Sequence, residues 1–282
     1  MSALIVFDTS TERTTVALMS GGRVLACIGN GGAQASATLL PAIFRVLAEA
    51  GLALGDLDAI AFGRGPGAFT GLRTACAVAQ GLAFGAGKRV LPIDTLLAVA
   101  EDARDDAARA RVWALLDARM DQIYAAEYAY ADGRWTTRTA PFLTDCDALA
   151  ALWRDTPPEL IAGNAIGVFG ARLQTANAVL VPAATPSALA LLRLAETAWT
   201  DGAAIDPALA LPLYVRDKVA ETEAERALRK GPRRGPPRPL GGRGAERGGS
   251  SPESSLADQG QGGSSPVEGD AHGGAPPRGA PS

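Results

Sequence analysis

Along the chain, apolar and polar positions switch between the period of a strand and the period of a helix. Residues 3–7 are a continuous apolar run, the pattern of a strand buried on both faces. Asp8-Thr9-Ser10-Thr11 interrupts it with short polar side chains that favour turns. Residues 14–19 and 23–28 flank Gly21-Gly22, which predicts an antiparallel pair with a tight turn, and a loop is expected over 29–36. Over 38–50 the period becomes helical, with Pro41 in the first turn and Gly51 as terminator. This helix carries two apolar stripes. Leu39, Ile43, Val46 and Ala50 form one; Leu40, Phe44 and Leu47 form the other. One stripe is enough to dock on a sheet.

The next strand, 58–62, runs into a glycine-rich turn at Gly63, Gly65, Pro66 and Gly67. Glycine allows close backbone approach and positive φ, while Pro66 fixes one φ. A helix is predicted over 70–84, with Thr70 as N-cap and Gly85 as stop. Its only charge is Arg73, and Leu72, Ala75, Cys76, Val78, Ala79, Leu82 and Phe84 spread apolar surface nearly all round. Small residues at Gly71, Ala75, Ala79 and Gly81 let another helix come close. Such a helix must be covered nearly all round, either by the chain's own core or by a partner.

A strand over 89–93 and a helix over 95–104 follow. Strands are then predicted at 112–116, 122–128 and 134–139, with turns at Asp117-Ala118-Arg119 and Asp132-Gly133. This strand–turn–strand–strand order repeats the opening of the chain, and Asp117 stands where Asp8 stood. The echo suggests an internal duplication. Helices are expected over 145–153, 166–175 and 187–200, a short strand over 160–162, and an extended segment over 207–215 because Pro212 resists helix. The reading divides the chain into 1–104, 105–229 and a tail, 230–282. The tail is mostly Gly, Pro, Ser and Arg, so disorder is expected there. A basic RNA-binding arm and a frame-altered C-terminus are the other two readings of it.

Composition narrows the chemistry. The 282 residues are 47% hydrophobic, with a net charge of −3, and the part before residue 230 is the more acidic. An acidic body lacks the clustered Lys and Arg of a stand-alone nucleic-acid binder. The three cysteines are odd in number and widely spaced, which suggests a reducing compartment. The single histidine, His272, lies in the tail, so no histidine metal site or His-based triad is expected in the body. With no signal peptide or membrane span in evidence, a cytoplasmic location is expected.

Two features could meet a phosphate. Asp8, Thr9, Ser10 and Thr11 offer hydroxyls and a carboxylate after a strand. The run Arg64, Gly65, Pro66, Gly67, Thr70, Gly71 and Arg73 offers backbone N–H groups at a helix start. The loop is neither a Walker A motif nor a dinucleotide fingerprint. The same residues also serve a purely structural turn, and Arg64 and Arg73 could clamp an anion or pair with carboxylates of a neighbouring chain.

The strings L-I-V-F-D-T-S-T, F-G-R-G-P-G-A-F-T-G-L-R, A-Q-G-L-A-F-G and L-P-L-Y-V-R-D-K-V-A-E-T closely resemble the TsaB (YeaZ) family over residues 1 to about 228. The resemblance implies an α/β, actin-like/sugar-kinase/Hsp70-type (ASKHA) fold of two related subdomains with mixed sheets. It also implies a role in making threonylcarbamoyladenosine at position 37 of tRNA, as a non-catalytic scaffold. TsaD, a paralogue, carries the chemistry, and the ATPase TsaE joins the pair. Implied with it are a homodimer when alone, contact with tRNA only through the complex, no membrane association, no metal and no cofactor of its own, with ATP or ADP a candidate at the partner interface. Carried onto this sequence, the interface candidates are Leu39, Leu40, Ile43, Phe44, Leu47, Leu72, Ala75, Cys76 and Ala79. No catalytic residue is expected. The alternative is a nucleotide-binding phosphotransferase of the same superfamily, using Asp8 and the glycine loop. A peptidase lacks metal ligands and a nucleophile–base pair. Ala35 departs from the histidine many members carry, and the tail is unlike the family.

Overall fold

Leu4–Asp8 (β1) is buried along its whole length because it lies at the centre of a sheet. The computed structural model describes residues 2–216, so the 230–282 tail expected from sequence lies outside the described residues. Arg13–Ser20 (β2) pairs antiparallel with β1, and Arg23–Asn30 (β3) pairs antiparallel with β2 around Gly21-Gly22. After Ala35–Ala50 (α1), Ala59–Gly65 (β4) pairs parallel with β1. After Phe69–Ala86 (α2), Arg89–Asp94 (β5) pairs parallel with β4, giving the order β3-β2-β1-β4-β5. Alternation along β1 sends Ile5 and Phe7 to the core shared with α1 and α2, and Leu4 and Val6 to the other face.

Thr95–Arg104 (α3) leads into a second sheet. Its strands are Ala110–Arg119 (β6), Gln122–Ala131 (β7) and Arg134–Thr144 (β8); then, after Cys146–Trp153 (α4), Leu160–Ala162 (β9); and, after Ala165–Phe169 (α5), Val179–Val181 (β10). The order is β8-β7-β6-β9-β10, with β6–β7 and β7–β8 antiparallel and β6–β9 and β9–β10 parallel. Strand for strand, this repeats the first sheet. The duplication read from turn spacing is therefore present in the topology. Leu96, Val99 and Ala100 of α3 pack on Val112, Ala114 and Tyr128 of the second sheet, while Ala98 joins the first sheet's outer core.

Several boundaries differ from the sequence reading. The first helix begins at Ala35, which leaves Pro41 inside it rather than in its first turn; Gly51 ends it in the left-handed region, as expected. The second helix begins at Phe69, with Ala68 rather than Thr70 at the cap position. No side chain caps it; instead the N–H of Ala68 donates to the Ser10 carbonyl at 2.7 Å, so the D-T-S-T turn anchors the helix entrance. Gly85 lies inside this helix, and Gly87, at φ 65°, stops it. The helix expected over 166–175 is cut short because Gly170 takes φ 51° and starts a 3₁₀ turn. Strand β10, only 3 residues long, was not foreseen. The last helix, Ala188–Thr200 (α6), returns to pack Leu191, Leu192 and Leu194 on the first sheet, so a cut at residue 104 does not separate the two halves cleanly. Among the described residues no helix is long and apolar enough to cross a membrane.

Candidate functional site

The D-T-S-T turn and the glycine loop are pressed together. A methyl group on Gly63 would lie 1.7 Å from Asp8 Oδ2, one on Gly71 would lie 1.8 Å from the Thr9 carbonyl, and one on Gly67 would lie 2.5 Å from the Ser10 carbonyl. Thr9 Oγ1 donates to the Gly71 carbonyl at 2.7 Å. The glycines are thus required by contact with the chain itself. Gly65 also needs its φ of 112°, and its N–H donates to Thr95 Oγ1 at 3.2 Å.

Asp8 is buried and bonded on both oxygens. Ser10 donates from its N–H at 2.8 Å and its hydroxyl at 2.6 Å to Oδ1, and Thr95 Oγ1 donates to Oδ2 at 3.0 Å. Burial pushes its pKa above the ordinary carboxylate value, opposed by those hydrogen bonds. Thr11 Oγ1 accepts from the Arg13 N–H at 3.2 Å. Arg64 pairs with Asp94 of this chain at 2.5 Å. Arg73 stacks on the Phe69 ring, 3.8 Å from its centroid, and donates to the Tyr214 hydroxyl at 3.0 Å. Pro66 is buried and Thr70 is exposed in the first turn of α2. The geometry brings Asp8, Thr9, Ser10, Gly65, Gly67 and Gly71 into one cluster, with the Asp8 carboxylate, the Thr9 hydroxyl and the Gly65 N–H bonded within it or to Thr95.

Beside this cluster a cleft of about 680 Å³ runs between the halves, lined by Ser10, Gly67 and Phe69 on one side and Asp117, Arg119 and Asn164 on the other. Gly163 follows β9 as Gly63 follows Phe62 in β4, and a methyl group on it would lie 2.1 Å from the Leu115 carbonyl; by this register Leu115, two residues before Asp117, faces Gly163 as Asp8 faces Gly63. Asn164 Oδ1 accepts from the Asp117 N–H at 2.9 Å, and the Asp117 carboxylate pairs with Arg119 at 3.1 Å. Among the described residues no group of His, Cys, Asp and Glu side chains comes together to hold a metal.

The helix face separates the interface candidates into two groups. Leu39, Ile43, Leu47, Ala75, Cys76 and Ala79 are buried in the chain's own core with Ile5, Phe7 and Phe62, and Leu72 is buried against Gly65 at the cleft, so these seven are core residues and not the partner contacts expected from sequence. Helix geometry requires it, because the sheet covers the widest apolar stripe of each helix first. Leu40 and Phe44, one turn apart on α1, remain 37% and 50% exposed. On α2, Phe84 is 60% exposed beside exposed Ala77 and Gly81. Sequence reasoning treated Phe84 only as part of a generally apolar helix. Its spacing from Ala77 and Gly81 was the available signal, once Ala75 and Ala79 were turned inward.

Two repeated α/β halves around a shared helix and an intervening cleft define a protein of the actin-like, sugar-kinase/Hsp70-type class. Residues 32–165 match the family model described as TsaD, tRNA N6-adenosine threonylcarbamoyltransferase. The chain is 34% identical to the tRNA threonylcarbamoyladenosine biosynthesis protein TsaB of Haemophilus influenzae, over 77% of this chain and 94% of that protein. It is 31% identical to the protein of the same name from Escherichia coli, over 77% and 96%. A solved structure of YeaZ from Pseudomonas aeruginosa superposes with a TM-score of 0.69 at 38% identity, over 76% of this chain and all of that one. The chain belongs to the TsaB (YeaZ) family.

Proposed function

We propose that this chain acts in tRNA threonylcarbamoyladenosine biosynthesis as a non-catalytic subunit, pairing through α1 and α2 with the catalytic paralogue TsaD, with the ATPase TsaE joining the pair. The observation that carries the reading is the exposure of Leu40 and Phe44 on α1 and, on α2, of Phe84 with the small residues Ala77 and Gly81. Covering an exposed Leu or Phe side chain is worth roughly 1.5–3 kcal/mol before the costs of association. The match of the TsaD family model across both helices supports a partner with a similar helix pair. In the absence of that partner a second copy of this chain takes its place, forming a homodimer. Contact with tRNA is made through the complex, and the cytoplasm is where the tRNA substrate is met. ATP or ADP enters only at the partner interface.

The phosphotransferase reading draws on the cleft beside Asp8. It is the weaker one, because Asp8 is buried with both oxygens bonded within the chain. ATP turnover by the isolated protein, abolished by Asp8→Asn, would favour it. The direct test of the leading reading mixes TsaD, TsaE, ATP, threonylcarbamoyl-adenylate and tRNA with and without this protein. Modification should depend on its presence. Folded Leu40→Glu, which should not bind TsaD, should fail to support modification, and modification by this protein unaided would overturn the reading.

A further inference from the structure

We infer that residues 206–216 form a third wall of the partner surface, with Leu209 and Leu211 touching the same TsaD-type chain that covers α1 and α2; this rests on the reading above. The segment runs along the flank of α2 that carries Arg73, Cys76 and Gln80. Gln80 Nε2 donates to the carbonyls of Pro207 and Ala210 at 3.0 and 3.2 Å, and Cys76 Sγ donates to that of Ala210 at 3.4 Å. Further on, the Leu213 N–H donates to the Arg64 carbonyl at 2.7 Å, and the Tyr214 hydroxyl accepts from Arg73. Pro207 and Ala210 turn inward and are buried, while Leu209 and Leu211 are 67% and 70% exposed.

A loose segment would fold such leucines against the body. Here the main chain is fixed at several points, so both side chains are held out in water with little entropy left to lose on contact. The segment is also continuous with the proposed surface. Ala77 lies one turn beyond Arg73, and Phe84 one turn beyond Gln80, so the exposed ridge of α2 borders the flank that holds the strap. The occupant that fits is an α/β chain presenting an apolar helix pair broad enough to reach past α2.

Full-length single variants Leu209→Ser and Leu211→Ser, and the double variant, test this by titration against purified TsaD, with Leu40→Glu alongside. Each serine variant is read separately, so a folding loss in one leaves the other usable. The double variant is expected to keep the wild-type melting temperature and to bind TsaD about tenfold more weakly. Wild-type affinity in the serine variants, with binding lost in Leu40→Glu, would overturn the third wall and leave the helix interface standing. Wild-type affinity in all variants would overturn both. Weakened self-association with unchanged TsaD binding would reject TsaD as the occupant in favour of a second copy of this chain.

Discussion

The two halves of the molecule share a strand order and differ in their helices. In the first, the sheet face is covered by α1 and α2, 16 and 18 residues long; in the second, the equivalent positions hold α4 and α5, 8 and 5 residues long. The second half closes its face with aromatic rings instead. Trp113 meets Trp153 edge-on at 5.7 Å and Phe142 at 6.4 Å. A five-stranded sheet of this order can therefore be sealed by short helices. The extra length in the first half is not needed to bury the sheet, and it is there that Leu40, Phe44 and Phe84 stay in water. The aspartates near the ends of β1 and β6 also differ: Asp8 is sealed by its own turn and Thr95, whereas Asp117 pairs with Arg119 in the cleft.

The largest effect that separates core from surface on the long helices comes from one charge placed on either side. Ala79 is fully buried, so Ala79→Glu should cost more than about 4 kcal/mol and unfold the protein, as burial of an unpaired charge does. Leu40→Glu should leave the thermal melt within about 0.5 kcal/mol of wild type and abolish TsaD binding. A stable Ala79→Glu protein would show that α2 is not packed as described.

Glycines on the two sides of α2 give the next contrast. Gly71→Ala forces a methyl group against the Thr9 carbonyl, and should destabilise by roughly 1–3 kcal/mol in denaturant titrations. Gly81 has open space where its Cβ would go, so Gly81→Ala should stabilise α2 by up to about 1 kcal/mol. The added methyl group thickens the exposed ridge, so the more stable variant should bind TsaD more weakly. Equal binding would place Gly81 outside the interface.

Much of this was legible in the sequence, and the losses have physical causes. The strands around Gly21-Gly22 and Asp132-Gly133, the helix Thr95–Arg104 and the strand Leu160–Ala162 follow from turn chemistry and period alone. Helix starts were misplaced where tertiary contacts act as caps: the anchor of α2 is the Ser10 carbonyl, far away in sequence. The two stripes of α1 were visible, but spacing does not say which one a sheet will cover. The face became readable only when Leu39 and Ile43 were seen against Ile5 and Phe7. Strand β10 was invisible because its 3 residues carry no period and, unlike the equally short Leu160–Ala162 before Gly163-Asn164, no Gly-Asn turn follows it. Leu209 and Leu211 gave no sign of their exposure, since that depends on Gln80 and Cys76 gripping the carbonyls of Pro207 and Ala210.

Two buried carboxylates on the first half should respond to pH in opposite directions. Burial would raise the pKa of Glu101, but hydrogen bonds from Arg104 and Trp135, the Arg104 charge and a further bond from Arg193 outweigh it and hold the pKa below the ordinary value. Glu101 therefore contributes stability above its unfolded pKa, which is lost as pH falls through the lower folded value. Glu101→Gln should cost roughly 1–3 kcal/mol at neutral pH and flatten the acid limb of the stability profile. Asp8 has the opposite sign. Its folded pKa is raised, so the native state holds the proton more tightly than the unfolded chain, and stability falls as pH rises from the unfolded value through the folded one. Asp8→Asn keeps an acceptor for Ser10 and carries no charge, so its stability should lack that fall, measured by urea titration across the pH range.

The smallest effect concerns the link between the halves themselves. Arg216 Nη2 donates to the Ala118 carbonyl at 2.8 Å, at the head of a turn in which Arg119, Met120 and Asp121 all take positive φ, at 62°, 56° and 59°. Non-glycine residues held there cost energy unless their surroundings keep them in place. Arg216, the Asp117 carboxylate that accepts from the Arg119 N–H at 2.8 Å, and the ion pairs of Arg119 with Glu12 and of Arg172 with Asp121 are the neighbours available to do so. Arg119 and Arg172 are exposed, so their pairs are worth little, which leaves Asp117 from within the second half and Arg216 from the first as the main restraints. Arg216→Ala should lower stability by only about 1 kcal/mol. Its clearer signature is faster amide exchange confined to residues 118–122, with the α1–α2 face unchanged; exchange that rose equally in both halves would mean that the turn is not held from the first half through the strap.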